Sequence, residues 1–387
     1  MSDKYNPNSF LVLGALLLVH TIGPQTVIVL PALTQGYVEY RGLSDSLAGA
    51  AASIEVWGLS VAALLMMYFI SRVGWRTLMF SALCLITASN GLSVFEWGDT
   101  LLYLLRFTSG FGGGVVVAVS YAMLGQTERA QRNFGLAIML VLIYGVIAFP
   151  LLSFLYKTWG LEGGFTFFGA FAALGLPFVR FLPNHGSEFE SDDVRVVSEK
   201  RVEAVLSSVM MLVYFSGVMA AWSYFYRFGI SNGLDEDAVG KALSMSQFAG
   251  MAGALVVVLF EKRLRAGIGA QIAIYITALS VGFVATTDSF AAFLLLSCLF
   301  NFVWNLTHPL LLALLAQFDA SGRIIAYGTA MQFLGIALGP SVAAASVGFI
   351  GLEGVAYASA LALVFSAVSV WGVVRFYQQR HPNKGVM

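Results

Sequence analysis

Apolar residues along this 387-residue chain gather in long runs, and the polar residues gather between them. Twelve runs stand out, at roughly 9–34, 46–71, 76–95, 100–125, 134–156, 163–182, 204–229, 238–260, 267–287, 289–317, 323–349 and 353–377. About 20 apolar residues, rising about 1.5 Å each, are what a helix needs to cross the ~30 Å hydrocarbon core of a bilayer. The pattern predicts an all-α membrane protein with twelve transmembrane helices. Most connections are short. The exception is 183–203, whose six acids and three bases break the apolar composition near mid-chain. It reads as a cytoplasmic linker between a six-helix bundle at 1–182 and a second at 204–387.

The two bundles read as copies. At a shift of 191 residues, Gly42-Leu43, Gly49 and Ser53 fall on Gly233-Leu234, Gly240 and Ser244. Arg72 falls on Arg263, Glu128-x-x-x-Arg132 on Asp319-x-x-x-Arg323, and Gly160-Leu-Glu-Gly163 on Gly351-Leu-Glu-Gly354. One shift that matches several separate loops implies two parallel, pseudo-symmetric halves, with a solute site expected near mid-membrane where the halves meet.

Composition agrees with the pattern: 58% hydrophobic, 11% charged and a mean hydropathy of +0.81, where a soluble domain carries about 25% charge. Net charge is zero, which gives no reason to expect a nucleic-acid partner. Cys84 and Cys298 lie in apolar runs and read as core residues. The first run is too long for a signal peptide and reads as a retained helix. With the N-terminus in the cytoplasm, 16 lysines and arginines fall on the cytoplasmic side and four on the other. That asymmetry places both termini inside.

Few ionisable residues interrupt the apolar runs: His20 in the first, Glu55 in the second, Arg106 in the fourth and His308 in the tenth. An arginine in hydrocarbon costs about 2.5–3.5 kcal/mol on insertion scales and must find protein or water. Behind it, Gly110-x-x-x-Gly114 has the small-xxx-small spacing that lets another helix approach closely. Glu55 and Arg106 lie at similar depths, about 10–15 Å from the outer surface at ~1.5 Å per residue. The repeat acts as a control: His20, Glu55 and Arg106 fall on Met211, Ser246 and Ser297. The fold alone does not demand these charges, so they are candidates for proton coupling.

The tenth run shows the reverse. Ser297, Asn301, Trp304, Asn305 and His308 share one helical face, where the first half has Gly110, Gly113, Gly114 and Val117 opposite the last four. A polar and aromatic stripe in a membrane helix faces protein or a wet cavity. It reads either as a solute-binding surface or as a hydrogen-bond ladder between helices. Trp222 and Tyr226 in the seventh run could add an aromatic wall, although a membrane-interface belt explains Tyr226 equally well. Gln25 and Gln332 are weaker polar candidates. Gly23-Pro24, Pro31 and Pro309 can break helical hydrogen bonding and allow bending. The duplicated pairs Glu128/Arg132 and Asp319/Arg323 read as cytoplasmic clasps or as solvated surface pairs. No HExxH or Walker A sequence is present, no metal or cofactor is expected, and no catalytic set is recognisable.

Three stretches resemble a known family, the major facilitator superfamily. Leu102-x-x-x-Arg106-x-x-Ser-Gly110-x-Gly112 is similar to the helix-four motif of its proton-coupled exporters. Ser71-Arg72-Val-Gly74-Trp-Arg76 resembles its loop motif between helices two and three, with Ser71 in place of the family's aspartate. Gly335-x-x-x-Gly339-Pro340 resembles the antiporter glycine-proline motif, though it lies in helix eleven; helix five has Phe149-Pro150 where the motif has Gly-Pro. The resemblance implies alternating access, a cavity lined by helices one, four, seven and ten, and function as a monomer in a bacterial inner (plasma) membrane.

These features together lead to the expectation of a secondary transporter that moves a small, partly apolar organic solute by proton-coupled export. Glu55, Arg106 and His20 would carry coupling. Asn301, Trp304, Asn305, His308, Trp222 and Tyr226 would bind the solute. Proton symport of an organic acid, with Arg106 as the anion's partner, is the second reading. A transport-inactive sensor or scaffold is a third.

Overall fold

The computed structural model describes residues 9–95, 98–184, 201–260, 265–318 and 323–380. Those residues form helices α1 (Phe10–Ile22), α2 (Gln25–Ile28), α3 (Leu30–Arg41), α4 (Asp45–Phe69), α5 (Trp75–Ser93), α6 (Asp99–Gly125), α7 (Ala130–Gly175), α8 (Arg201–Ser231), α9 (Glu236–Phe260), α10 (Ala266–Val284), α11 (Phe290–Phe318), α12 (Arg323–Ile350) and α13 (Leu352–Arg380), with a 3-10 turn at Leu176–Phe181 after α7. The expected linker lies, from 185 to 200, outside the described residues, as does Asp319 of the expected clasp.

The elements map onto twelve crossings with two departures from the expected segments. The first crossing is broken into α1, α2 and α3. Pro24 has no amide hydrogen to donate, and Val29 leaves helical geometry at φ −101°, ψ 20°. The fifth and sixth crossings run together as α7, with non-helical backbone at Trp159 and at Gly160 (φ +63°, ψ −159°) marking the corner.

That corner is built twice. Among the described residues, positive φ occurs at Gly42, Gly160, Gly233 and Gly351, all glycines and two pairs 191 apart. A β-carbon at Gly163 would sit 2.8 Å from the Leu155 carbonyl oxygen, and one at Gly354 would sit 2.7 Å from that of Ser346. Leu155 and Ser346 are themselves 191 apart. The repeat therefore preserves the backbone of the turn as well as its letters, because a left-handed residue favours glycine.

The chain divides into two compact units: Met1–Gly42 with Ala51–Val194, and Leu43–Ala50 with Arg195–Met387. The first turns of α4 thus count with the second unit. Asp45 pairs there with Arg227, the Tyr224 hydroxyl donates to the Asp45 carbonyl, and Ser46 donates to the Ala344 carbonyl.

In the first unit α6 is the central helix, and its glycine run faces three neighbours. β-Carbons at Gly110 and Gly114 would collide with the carbonyl oxygens of Glu55 and Leu59 on α4, and one at Gly112 would sit 2.7 Å from the Ala82 carbonyl of α5. One at Gly113 would sit 2.5 Å from the Gly23 carbonyl at the break after α1. In the second unit the small residues move to the other helix of the corresponding pair. Gly250 and Gly253 of α9 take the close approach, against Asn305 and Phe302 of α11. That exchange leaves α11 free to carry large side chains where α6 carries none.

Candidate functional site

Close packing of α4 on α6 brings Glu55 beside Arg106, both essentially inaccessible to solvent. Arg106 Nη1 lies 3.6 Å from Glu55 Oε2. The guanidinium is held mainly by α5: Nη1 donates to Asn90 Oδ1 at 3.0 Å, and Nη2 donates to Ser93 Oγ at 2.7 Å and to the Ser89 carbonyl at 3.4 Å. Its carbon stands 4.3 Å from the centre of the Phe165 ring, a cation–π distance. Asn90 Nδ2 donates to Ser109 Oγ at 3.0 Å and to the Ile86 carbonyl at 2.8 Å, and Ser109 donates to Glu55 Oε1 at 3.0 Å. Thr26 of α2 also reaches the Glu55 carboxyl. Glu55 Oε2, Arg106 Nε and the hydroxyls of Tyr37 and Tyr144 are buried without a hydrogen-bond partner. Removing charge from water is tolerable here because most of the guanidinium's donors and one carboxylate oxygen are satisfied.

His20 lies elsewhere in the same unit. Its ring packs 5.0 Å from that of Tyr121, about 22 Å along α6 from Arg106 at ~1.5 Å per residue. It is buried, and its Nδ1 has no partner.

In the second unit the predicted stripe separates into two parts. Asn301 is buried and donates to Ser246 Oγ of α9 at 2.9 Å, a rung between helices. Trp304, Asn305 and His308 are only partly buried. Asn305 Nδ2 donates to the Asn301 carbonyl at 3.0 Å, and His308 Nε2 meets Gln332 Oε1 of α12 at 3.1 Å. The Phe215 ring closes edge-on to His308 at 5.0 Å. Trp222 is 1% exposed and lies parallel to Phe300 at 6.2 Å and edge-on to Trp304 at 5.9 Å, so it backs the accessible indole from behind. Tyr226 donates its hydroxyl to the Glu236 carbonyl at the start of α9.

The Major Facilitator Superfamily model matches residues 15–340. The chain belongs to the major facilitator superfamily. It is therefore an integral, multi-pass membrane protein and a secondary transporter rather than an enzyme. Solved structures with the same fold include a POT family transporter in complex with 5-aminolevulinic acid, at TM-score 0.77 and 14% identity, covering 95% of this chain and 96% of that one. Another POT family transporter, in complex with a thioalcohol-conjugated peptide, aligns at TM-score 0.76 and 13% identity, covering 95% and 96%. A D-xylose-proton symporter aligns at TM-score 0.72 and 14% identity, covering 94% and 97%. No curated protein matches the chain. Identities this low establish the fold and nothing finer.

The superfamily motifs have visible physical roles in this chain. In the helix-four motif, Arg106 and Ser109 carry the polar network while Gly110 and Gly112 admit neighbouring backbones. In the loop motif, Trp75 N donates to the Asn184 carbonyl at 2.8 Å and Arg76 Nε to the Leu182 carbonyl at 2.5 Å, tying the start of α5 to the end of the sixth crossing. Arg72 folds back over the Tyr68 ring at 3.4 Å. Gly335 and Gly339 of α12 pack on α8, where β-carbons would sit 2.5 Å from the Leu212 carbonyl oxygen and 2.7 Å from the Ala220 nitrogen.

Sequence reasoning missed Thr26, Ser89, Asn90 and Ser93, and had Ser109 only as a letter of the helix-four motif. Neutral polar side chains in a membrane helix carry no charge signal. The repeat would have exposed three of them: Asn90, Ser93 and Ser109 fall on Val281, Val284 and Phe300.

Proposed function

We propose that this transporter couples the movement of a small, partly apolar organic solute to protons by alternating access, and that it works as an exporter by antiport. Glu55 takes and releases the proton, Arg106 adjusts how tightly it is held, and His20 is a secondary proton-accepting group. Trp304, Asn305 and His308 contact the solute, with Asn301 and Trp222 holding that surface in place and Tyr226 at its far edge. Both termini lie in the cytoplasm of a cell whose inner (plasma) membrane holds the protein as a monomer.

The observation that carries this reading is the buried Glu55–Arg106 pair, present in one half and replaced by Ser246 and Ser297 in the other. A static tie would serve both halves equally. A charged pair in one half suits a step in which a carboxyl group changes its protonation as the protein changes state, because a ligand shifts an equilibrium only through differential affinity for its states. The organic-acid symport reading needs Arg106 free to meet an anion. Its engagement by Asn90, Ser93 and the Ser89 carbonyl weighs against that role and in favour of antiport.

The test is transport by purified protein in proteoliposomes, with a pH-sensitive dye inside and a panel of neutral, cationic and acidic solutes outside. Antiport predicts that solute entry drives protons outward and raises internal pH. Internal acidification with solute entry would establish symport. Solute movement with no proton signal under any gradient would remove proton coupling.

A further inference from the structure

The Glu55–Arg106 pair stands at 3.6 Å, and the residue that bonds Arg106 directly and reaches Glu55 through Ser109 is Asn90. Arg106 Nη1 makes its hydrogen bond to Asn90 Oδ1 at 3.0 Å, while Glu55 Oε2 stands at 3.6 Å with no hydrogen bond of its own. Charge-assisted hydrogen bonds between nitrogen and carboxylate close to about 2.7–2.9 Å when nothing intervenes. Asn90 reaches the carboxyl by a second route, since its Nδ2 donates to Ser109, which donates to Glu55 Oε1. The orientation of the Asn90 amide follows from its neighbours: a guanidinium offers only donors, so the amide oxygen must face Arg106, and the Ile86 carbonyl takes a proton from the other end.

We infer that Asn90 is a positioning residue for proton coupling: it holds Arg106 one hydrogen bond short of Glu55 and, through Ser109, occupies one carboxyl oxygen so that the proton goes to the other. This rests on Glu55 being the proton carrier. The proton binds Oε2 and makes an O–H there; Oε1 keeps its bond from Ser109 in either state. Arg106 does not lose its partners when Glu55 becomes neutral, because Asn90, Ser93, the Ser89 carbonyl and Phe165 hold it regardless. A closed, bidentate pair would hold Glu55 ionised; an absent arginine would leave it protonated. The spaced pair leaves both states within reach. The second half supports the assignment: where Glu55 and Arg106 give way to Ser246 and Ser297, Asn90 and Ser93 of α5 give way to Val281 and Val284. Besides Arg106, the titratable groups in electrostatic reach of Glu55 among the described residues are Tyr37 of α3 and Tyr144 of α7. A phenol ordinarily gives up its proton only near pH 10, so neither competes with Glu55 near neutral pH.

The test reads Glu55 directly and needs no solute. Infrared difference spectra of the purified protein in lipid are taken across a pH titration, and the carboxylic acid band that disappears in Glu55→Gln is followed. Asn90→Asp keeps the shape and gives Arg106 a carboxylate partner that cancels its charge, so the midpoint of the Glu55 band moves up by about one pH unit, roughly tenfold in proton affinity. Asn90→Ala lets Arg106 close on Glu55, and the midpoint moves down by a similar amount. Opposite shifts are the signature of a spacer; a residue that merely supports the fold would give shifts of the same sign or none. If Asn90→Ala fails to fold, Asn90→Ser takes its place and must still move the midpoint down, because the added charge of Asn90→Asp raises it whatever the role of Asn90. A Glu55 band that titrates in the native protein but does not move in these variants overturns the role of Asn90 and leaves the coupling reading standing. A Glu55 band that does not titrate at all overturns both.

Discussion

Glu55 and Gly110 meet backbone to backbone: a β-carbon on Gly110 would collide with the Glu55 carbonyl oxygen. The chemistry of the next residue depends on that approach, because Ser109 reaches the Glu55 carboxyl only when α4 and α6 lie this close. Gly110→Ala should therefore cost about 1–3 kcal/mol as overpacking against rigid backbone and break the Ser109–Glu55 bond. Gly91→Ala is the control. Nothing lies within 4 Å of a β-carbon there, so the helix should gain slightly, about 0.5–1 kcal/mol. Thermal melts of the two purified variants check the contrast. Equal melting temperatures would mean that the helices can part at no cost.

The segment count and the repeat were legible in the sequence because each has a plain physical cause. A bilayer sets the length of an apolar run, and a left-handed turn favours glycine, so Gly42, Gly160, Gly233 and Gly351 left their mark at a fixed spacing. Arg106 and Glu55 stood out because charge in hydrocarbon is expensive. That they touch was open, since similar depth says nothing about helix rotation. The cradle of Asn90 and Ser93 was missed because a neutral amide or hydroxyl has too small a burial cost to mark it by type. The stripe on α11 was placed on one face correctly, but the sequence could not say that Ser297 and Asn301 are buried while Trp304, Asn305 and His308 are accessible. At the buried end Ser246 of α9 meets Asn301 directly.

The two corners built on Gly160 and Gly351 should fail alike. Each has positive φ, and each is followed three residues later by a glycine packed on a carbonyl eight residues earlier. Alanine at positive φ costs about 1–3 kcal/mol, and Gly160, at φ +63° and ψ −159°, lies in a region essentially reserved for glycine. Gly160→Ala and Gly351→Ala should each lower stability by that amount, and the double variant by their sum, because the sites lie in different units and share no partners. Chemical or thermal unfolding of all three variants measures it. A large effect at one corner and none at the other would show that the repeat no longer holds both turns to one geometry.

Solute recognition by α11 can be separated from its packing. A β-carbon at Gly250 would sit 2.8 Å from the amide nitrogen of Asn305, the movable end of a side chain. Gly250→Ala should displace that amide and leave the helices in place. If Asn305 contacts the solute, Gly250→Ala and Asn305→Ala should both weaken binding of whichever solute moves in the proteoliposome panel. Trp304→Ala should weaken it by about 1–2 kcal/mol, roughly five- to thirtyfold, as truncating an aromatic anchor does. Tyr226→Phe should leave it unchanged, since that hydroxyl is committed to the Glu236 carbonyl. Unaltered binding in all three stripe variants would reduce the stripe to a ladder between helices.

Glu55→Gln separates a working proton carrier from a structural tie. The substitution keeps the shape of the side chain and an oxygen to accept from Ser109, but it cannot exchange a proton. Breaking a buried ion pair by removing one partner usually costs about 3–5 kcal/mol, because the other charge is left uncompensated. Here the remaining charge keeps its bonds to Asn90, Ser93 and the Ser89 carbonyl and its place over Phe165, so the loss should fall below that range. Arg106→Ala is the harsher change, since it leaves Glu55, Asn90 and Ser93 with unmet groups in a site closed to solvent. The stability order should therefore be native, then Glu55→Gln, then Arg106→Ala, measured by melting in the same detergent. Function should not follow that order. Glu55→Gln should still bind solute and exchange it down its own gradient, yet lose accumulation or extrusion driven by a pH difference. A Glu55→Gln protein that keeps full pH-driven transport would show that the proton travels by another group, and His20, buried against Tyr121 with an unpartnered Nδ1, would be the residue to replace next.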